Sequence, residues 1–173
     1  MSPRSELLKM RIGIVSDTHG DAKRLSHALE IFSHHQVQAV VHCGDVGSIQ
    51  CLRLLANAAP NVYVVAGNTD RHVEELADEA ESLGINFAWE AVHVPLDDGK
   101  ALVATHGHDE NLLGELIADR QFHYVCHGHS HMIRDEGVNG VRVINPGALH
   151  RAKVHTVAVL DTVSGVLEHI IVR

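Results

Sequence analysis

Histidines are concentrated in one short segment of the chain. Residues 125–133 read VCHGHSHMI, which places His127, His129 and His131 at alternate positions after an apolar run. Histidine is a common metal ligand and proton carrier, and it also fills expression tags. The 16 histidines are not gathered at a terminus and recur beside glycines and aspartates. The segment therefore indicates metal binding or proton transfer, for which other parts of the chain must supply further ligands or charged groups.

Carboxylate, amide and imidazole side chains follow several predicted strands at the point where each strand ends. The segments concerned read SDTHGD, HCGDVGS, GNTD, THGHD and HGHSH. In open α/β sheets, ligands bind at the carboxyl ends of the strands. We therefore expect five segments that are distant in sequence to direct ligand-type side chains into one crevice.

The elements that must position these residues alternate between short apolar runs and helical patterns. RIGIVS, QAVVHCG and NVYVVAG are predicted strands, separated by helices over KRLSHALEIFSHH and SIQCLRLLANA, the second capped by Ser48. This order is typical of parallel βαβ units. A helix is predicted over 71–83 and another over ENLLGELIADR, and further strands are predicted over EAVHVPL, KALVATHG, HYVCHG, VRVINPG, VHTVAVLD and GVLEHIIV. The Asp-Gly step in PLDDGKAL predicts an antiparallel hairpin.

Composition narrows the class of protein. A chain of 173 residues with 45% hydrophobic content can bury one core, so we expect a single domain over 10–173, preceded by a short extension at 1–9 that need not be ordered. The net charge of −8 and an aromatic content of 3% argue against a nucleic-acid groove. No apolar run is long enough to span a membrane. Three cysteines without CxxC spacing favour a reducing, cytoplasmic location.

These motifs together resemble those of the calcineurin-like metallophosphoesterases. The chain carries that family's blocks in family order: DxH at Asp17 and His19, GD at 44–45, GNxD at 67–70, GH within HGH from His106, and GHxH at 128–131. The match runs from about residue 10 to the C-terminus. The small size and the INPG segment look most like the small bacterial and archaeal phosphodiesterase branch, to which the eukaryotic retromer subunit is related.

The resemblance implies an α/β fold, a four-layer α/β/β/α sandwich of two mixed β-sheets flanked by helices, and two bound divalent metal ions. Position by position, it implies that the first metal binds to Asp17, His19 and His131. The second metal would bind to Asn68, His106 and His129, and Asp45 would bridge the two ions. A donor set of imidazole nitrogens and oxygens without thiolate suits Mn²⁺, Fe, Ni²⁺ or Zn²⁺. Mn²⁺ is the first choice, on the resemblance.

The constellation leads to a hypothesis for the reaction. A water that bridges two cations loses a proton near neutral pH, and the hydroxide then attacks phosphorus in line while Asn68 helps to neutralise the equatorial oxygens. The proton donor for the leaving group stays open, because Thr69 stands where many relatives have histidine. His108, a metal-bound water or substrates with good leaving groups could meet this need, and we expect Asp70 to hold a nearby loop or histidine in place.

Other interpretations of the same residues remain. Taken singly, Asp17 could cap a helix, Asp45 and Asn68 could form turns, and each histidine could be structural. For the whole chain, the expected function is a phosphodiesterase acting on a phosphate-ester substrate. The alternatives are a phosphomonoesterase, a protein-binding scaffold of the retromer-subunit type and, on the histidine count alone, a metal sensor or store. The sequence leaves the physiological substrate and homo-oligomer formation open.

Overall fold

The computed structural model describes residues 10–96 and 99–173, which form two β-sheets and four helices. The extension expected at 1–9 lies outside the described residues, as does the first residue of the predicted Asp-Gly turn at 98–99. The strands flanking that turn pair as the Asp-Gly step predicts, with Ala91 opposite Thr105 and Pro95 opposite Ala101.

The first sheet contains six strands, four of them parallel. Strands β1 (Arg11–Val15), β2 (Ala39–His42), β3 (Asn61–Val65) and β4 (Asn86–Ala88) run in the same direction. Strands β10 (Thr156–Asp161) and β11 (Leu167–Ile171) extend the sheet antiparallel beyond β1. The predicted parallel βαβ arrangement of the first three strands is confirmed, and the carboxyl ends of these strands lie at one edge.

Three helices cover the outer face of this sheet. They are α1 (Ala22–His34), α2 (Ile49–Ala56) and α3 (Val73–Ser82). Ser48 caps α2 by accepting a hydrogen bond from the Cys51 amide, and Asp21 caps α1 in the same way through Arg24. The apolar stripe of α1, which includes Leu25 and Phe32, is fully buried in the core between helices and sheet.

The second sheet contains five strands in the order β5-β6-β7-β9-β8. Their bounds are β5 (Ala91–Pro95), β6 (Ala101–Thr105), β7 (Tyr124–Cys126), β8 (Arg134–Val138) and β9 (Val141–Asn145). Strands β6, β7 and β9 are parallel, so their carboxyl ends also share one edge. Helix α4 (Glu110–Ala118) packs through Leu113 and Ile117 on the outer face of this sheet, against Val103 and Val125.

The inner faces of the two sheets share an apolar core. Ile14 and Val41 of the first sheet lie in one buried cluster with Leu102, Cys126 and Ile144 of the second. Helices therefore form the two outer layers, and the predicted α/β/β/α sandwich of two mixed sheets is confirmed. The short strand β4 and the charged edge strand β8 were not predicted from the sequence. Within residues 10–96 and 99–173, no helix is long and apolar enough to cross a bilayer.

The packing of α1 on β1 predicts the effect of one small substitution. A Cβ atom on Gly13 would lie 2.7 Å from the Phe32 ring, so the ring or one of the two elements would have to shift. We expect Gly13→Ala to lower the free energy of unfolding by about 1–3 kcal/mol, as overpacking does. Chemical denaturation measures this change. Gly114→Ala is the control, because open space surrounds Gly114 in α4 and alanine there should stabilise by up to about 1 kcal/mol.

Candidate metal centre

The loops that leave β1 and β2 run side by side beyond the ends of the strands. The Asp17 amide donates to the Gly44 carbonyl at 3.1 Å, and the His19 amide donates to the Asp45 carbonyl at 2.9 Å. These bonds continue the ladder of the parallel sheet into the loops. Side chains from two different motifs are therefore held at a fixed separation by backbone hydrogen bonds.

The second sheet approaches the same place from the opposite side of the sandwich. The Gly128 amide donates to the His106 carbonyl at 2.9 Å, which joins the loops that follow β6 and β7. The His129 amide then donates to Asp17 Oδ2 at 3.0 Å. A hydrogen bond thus connects the strand ends of the two sheets, and the five predicted segments converge.

Asp17 is fully buried, and its two carboxylate oxygens have different surroundings. Oδ2 accepts hydrogen bonds from the Ser16 hydroxyl at 2.6 Å and from the His129 amide. Oδ1 lies 3.1 Å from His131 Nε2 and 3.8 Å from His19 Nε2. Because Oδ2 is held by two donors, the orientation of Oδ1 towards the imidazoles is fixed.

The two carboxylate oxygens of Asp45 also have different contacts. Oδ1 accepts a hydrogen bond from the Thr69 amide at 2.8 Å, while Oδ2 lies 3.3 Å from His106 Nε2 and 3.5 Å from His19 Nε2. Burial alone would raise the pKa of Asp45, but hydrogen bonds from His106 and Thr69 hold that pKa below its usual range. Oδ2 therefore lies as a carboxylate oxygen between two imidazole nitrogens.

The ring orientation of His106 is set by a carbonyl group. Nδ1 lies 2.8 Å from the Cys43 carbonyl, which can only accept, so Nδ1 carries a proton. Nε2 then faces Asn68 Oδ1 at 2.9 Å and Asp45 Oδ2. Burial lowers the pKa of His106, but the hydrogen bond and charge of Asp45 outweigh burial and raise it. Nε2 can donate to these oxygens only in the charged ring. In the neutral ring its lone pair faces two oxygens, an unfavourable arrangement that a bound cation between them would make favourable.

A buried nitrogen without a partner provides a test of whether a metal ion fits. His19 Nε2 is buried and makes no hydrogen bond, although Asp17 Oδ1 and Asp45 Oδ2 both lie within 4 Å of it. An unsatisfied buried polar atom is unfavourable. Two groups of possible ligand atoms, each within 4.8 Å of one another, surround this place. They consist of Asp17, His19 and His131, and of Asp17, Asp45 and His106. The donors present fit divalent cations.

Backbone strain is concentrated at these residues. Five of the seven predicted ligands adopt the left-handed conformation: Asp17 (φ 54°), His19 (φ 48°), Asp45 (φ 55°), His129 (φ 64°) and His131 (φ 57°). This conformation is unfavourable for residues with a side chain, by roughly 1–2 kcal/mol each, and such outliers cluster at functional sites. The fold therefore maintains an unfavourable backbone in order to direct these side chains inwards.

Two glycines leave room for the carboxylates. A Cβ on Gly67 would lie 2.0 Å from Asp45 Oδ1, and a Cβ on Gly128 would lie 1.9 Å from Ser16 Oγ. Neither contact is possible without displacement. The absence of a side chain at the glycines of the GNxD and GHxH blocks therefore allows these loops to approach the buried oxygens closely.

The remaining predicted site residues lie at the opening. The ring of His129 is exposed and its centroid lies 5.1 Å from that of His106, while His108 is exposed with its centroid 5.5 Å from that of His106. Asn68 is exposed but directs its carbonyl oxygen to His106. The structure thus brings all seven predicted ligands to one place and puts His108 at the rim.

Asp70 does not face the opening. Its carboxylate accepts hydrogen bonds from the backbone amides of Gly67 and Gly47, both at 2.8 Å, and of Val46 at 3.3 Å. Burial raises the pKa of Asp70, and these bonds partly counteract it. Asp70 is thus a positioning residue that joins the loops after β2 and β3, consistent with the expectation that it holds a loop in place.

One further residue beside the site, His150, was not singled out from the sequence. The His150 ring lies 5.1 Å from the His19 ring, centroid to centroid, and Thr69 Oγ1 lies 3.3 Å from His19 Nδ1. His150 belongs to the loop between β9 and β10, and no metal-binding motif surrounds it. A buried histidine, His42, supports the loop between Asp17 and His19 through a 2.8 Å hydrogen bond to Thr18 Oγ1, and burial lowers the pKa of His42 to about 3.

The sandwich and the site at its strand ends define a class of protein. The model of the calcineurin-like phosphoesterase superfamily domain matches residues 10–165. The chain therefore belongs to the calcineurin-like phosphoesterase superfamily, which is named for the hydrolysis of phosphoester bonds.

Individual relatives agree with this membership. The chain is 33% identical over 156 residues to phosphodiesterase MJ0936 of Methanocaldococcus jannaschii, and the alignment covers 88% of this chain and 93% of the relative. The solved structure of an archaeal phosphodiesterase is similar, with a TM-score of 0.86, 31% identity, and coverage of 94% of this chain and 99% of that one. A Vps29 variant from Entamoeba histolytica shares the fold, with a TM-score of 0.66, 19% identity, and coverage of 95% and 100%.

The contacts of Asp17 predict the effect of removing one hydroxyl group. Ser16→Ala deletes the 2.6 Å hydrogen bond that orients the carboxylate, and loss of such a supporting bond weakens metal binding by roughly 10–100-fold. We expect a loss of this size in the affinity for Mn²⁺, measured by isothermal titration calorimetry. Ser33→Ala on the exposed side of α1 should bind Mn²⁺ as the wild type does. An unchanged affinity in Ser16→Ala would contradict the assigned role of Asp17.

Proposed function

We propose that this protein is a phosphodiesterase that depends on two divalent metal ions, with Mn²⁺ as the first choice. The observation that carries the proposal is the position of Asp45 Oδ2 between the Nε2 atoms of His19 and His106, at 3.5 and 3.3 Å. One carboxylate oxygen facing two imidazoles from different sheets is the arrangement that a shared ligand of two cations requires.

The proposed ligand sets of the two ions are those that the resemblance implies, and several contacts support them. The first ion would be held by Asp17, His19 and His131, whose ligand atoms lie within 4.8 Å of one another. The second would be held by Asn68, His106 and His129, with Asp45 shared between the two ions. The 2.9 Å contact between Asn68 Oδ1 and His106 Nε2 supports the second set. When bound, two divalent cations supply an activated water for attack on phosphorus and neutralise charge on the phosphoryl oxygens.

The protein's own groups prepare the site for an anionic substrate. The carboxylates of Asp17 and Asp45 offset only half of the charge of two divalent cations, and the other proposed ligands are neutral imidazoles and an amide. The loaded site is therefore electropositive and attracts a phosphoryl group. Asn68 is exposed at the opening, and its amide group would lie beside the bound phosphoryl oxygens. Asp70 contributes by holding the loops that carry Asp45 and Asn68.

His108 is the proposed proton donor for the leaving group. It is exposed at the rim, with its ring centroid 6.2 Å from that of His129. Thr69, at the opposite side beside His19, is too weak an acid for this task. His108→Gln should leave the hydrolysis of diesters with a nitrophenolate leaving group nearly unchanged, because that group leaves without a proton. The same variant should slow the hydrolysis of a dialkyl phosphodiester, whose alkoxide leaving group needs a proton, by about 10²-fold or more. Equal losses on both substrates would contradict this role.

Diester hydrolysis is the favoured reaction, since both phosphodiesterase relatives span nearly the whole chain. In the presence of Mn²⁺, we expect kcat/KM to be higher for bis-p-nitrophenyl phosphate than for p-nitrophenyl phosphate. The rate of p-nitrophenol release measures both. The reverse preference would identify the protein as a phosphomonoesterase. An absence of turnover on both substrates, with metal bound, would favour the scaffold alternative.

The shared ligand provides the most direct test of the metal pair. Asp45→Asn removes the charge between the two ions, and we expect kcat to fall by about 10²-fold or more together with loss of one bound metal per chain. Elemental analysis and the diester assay measure these effects, and chelation of the wild type followed by Mn²⁺ addition should abolish and restore activity. Asp78→Asn, an exposed residue of α3, is the matched control. Near-normal rates in Asp45→Asn would defeat the assignment.

A further inference from the structure

A cavity lined mainly by basic side chains lies on the His150 side of the metal centre. Its volume is about 210 Å³, and it is lined by Asp21, Lys23, Arg24, His27 and Arg173. We call it the basic cavity. Three of these residues are permanently cationic at neutral pH and one is acidic, in a chain whose net charge is −8. A local excess of positive charge in an acidic protein indicates a place that receives an anion.

The only carboxylate side chain of this lining is already engaged. Asp21 Oδ2 lies 2.6 Å from Arg24 Nη1, and Asp21 Oδ1 accepts from the Arg24 amide at 2.9 Å as the cap of α1. In the described part of the chain, the Lys23 ammonium and the Arg173 guanidinium make no ion pair or hydrogen bond. Both therefore have their full donor capacity available for a bound ligand.

The basic cavity connects with the metal centre through two contacts. Arg24 Nη1 donates to the Leu149 carbonyl at 2.8 Å, which fixes the loop that carries the next residue, His150. The His150 ring in turn packs 5.1 Å from the ring of His19, a proposed metal ligand. A substrate that extends from the metals across His150 therefore reaches the basic cavity.

The chemistry of the lining selects the ligand. Guanidinium groups bind phosphate oxygens with two parallel hydrogen bonds, and an ammonium group adds a point charge. A phosphomonoester carries nearly two negative charges at neutral pH and has three acceptor oxygens, so it matches this lining better than a neutral group. We propose that the basic cavity binds a second, terminal phosphate of the substrate. The preferred substrates are then phosphodiesters that carry a phosphomonoester on the group next to the scissile bond. This proposal rests on the proposed diesterase function of the metal centre.

Two substrates that differ in a single phosphate test the proposal. Thymidine 5′-(p-nitrophenyl phosphate) and its 3′-phosphorylated counterpart both react with one water, which breaks the bond between phosphorus and the nitrophenyl oxygen. The products are p-nitrophenol and thymidine 5′-monophosphate or thymidine 3′,5′-bisphosphate. For the wild type with Mn²⁺, we expect a KM about tenfold lower for the 3′-phosphorylated substrate, as charge-assisted contacts to phosphate provide, with similar kcat.

Variants test whether the basic cavity causes the difference in KM. Lys23→Gln/Arg173→Gln should reduce the difference in KM to less than about twofold while leaving kcat/KM for bis-p-nitrophenyl phosphate unchanged, because that substrate has no second phosphate. Arg120→Gln removes an exposed charge just beyond α4 and should retain the full difference. Equal KM values for the two thymidine substrates in the wild type, or a difference that persists in the double variant, would overturn the proposal.

A binding measurement separates this proposal from the proposed function. If neither thymidine substrate is hydrolysed, the diesterase function fails, and calorimetric titration then decides the role of the cavity. Thymidine 3′,5′-bisphosphate should bind more tightly than thymidine 5′-monophosphate to the wild type in the presence of Mn²⁺. The double variant should bind both nucleotides with the same affinity. Equal affinities in the wild type would reject the basic cavity as a phosphate site.

Discussion

The structure depends on the close approach of two buried carboxylates, Asp17 and Asp45, which lie at the ends of adjacent strands and face the same histidine. Removing like charges from water to a shared place is strongly unfavourable unless cationic charge accompanies them. Almost every local feature follows from this constraint. One oxygen of each carboxylate is held by hydrogen-bond donors, and the other faces imidazole nitrogens from both sheets. The proposed pair of divalent ions would supply this cationic charge and would account for the arrangement as a whole.

Much of this arrangement could be predicted from the sequence, because it depends on order along the chain. The apolar runs of β1, β2 and β3 mark buried parallel strands, and the ligand-type residues follow directly after them. Strand β8 was missed because it reads RDEGV, an exposed edge strand without apolar alternation. Strand β4 has only three residues, too few for a recognisable period. Both errors concern edge strands of the two sheets.

His150 illustrates what sequence patterns cannot provide. It lies five residues beyond the end of the parallel strand β9 and belongs to no metal-binding block. It reaches His19 because the Leu149 amide donates to the Ser16 carbonyl at 3.2 Å and because Arg24 holds the Leu149 carbonyl. Both contacts join residues more than 100 positions apart, and neither leaves a signature in composition or spacing. The contact partners of Asp70 were likewise undetermined, because a carboxylate that accepts backbone amides looks the same in sequence as one that binds metal.

The left-handed backbone at five of the proposed ligands has a consequence for the history of such folds. Each of these residues is held in a conformation that only glycine adopts without penalty. A descendant released from selection for catalysis would relieve this strain only where glycine replaced such a residue, because every other side chain meets a similar or larger penalty. The left-handed turns would therefore persist in a lineage that lost the ligands, and the sandwich would remain as an inert framework free for other uses.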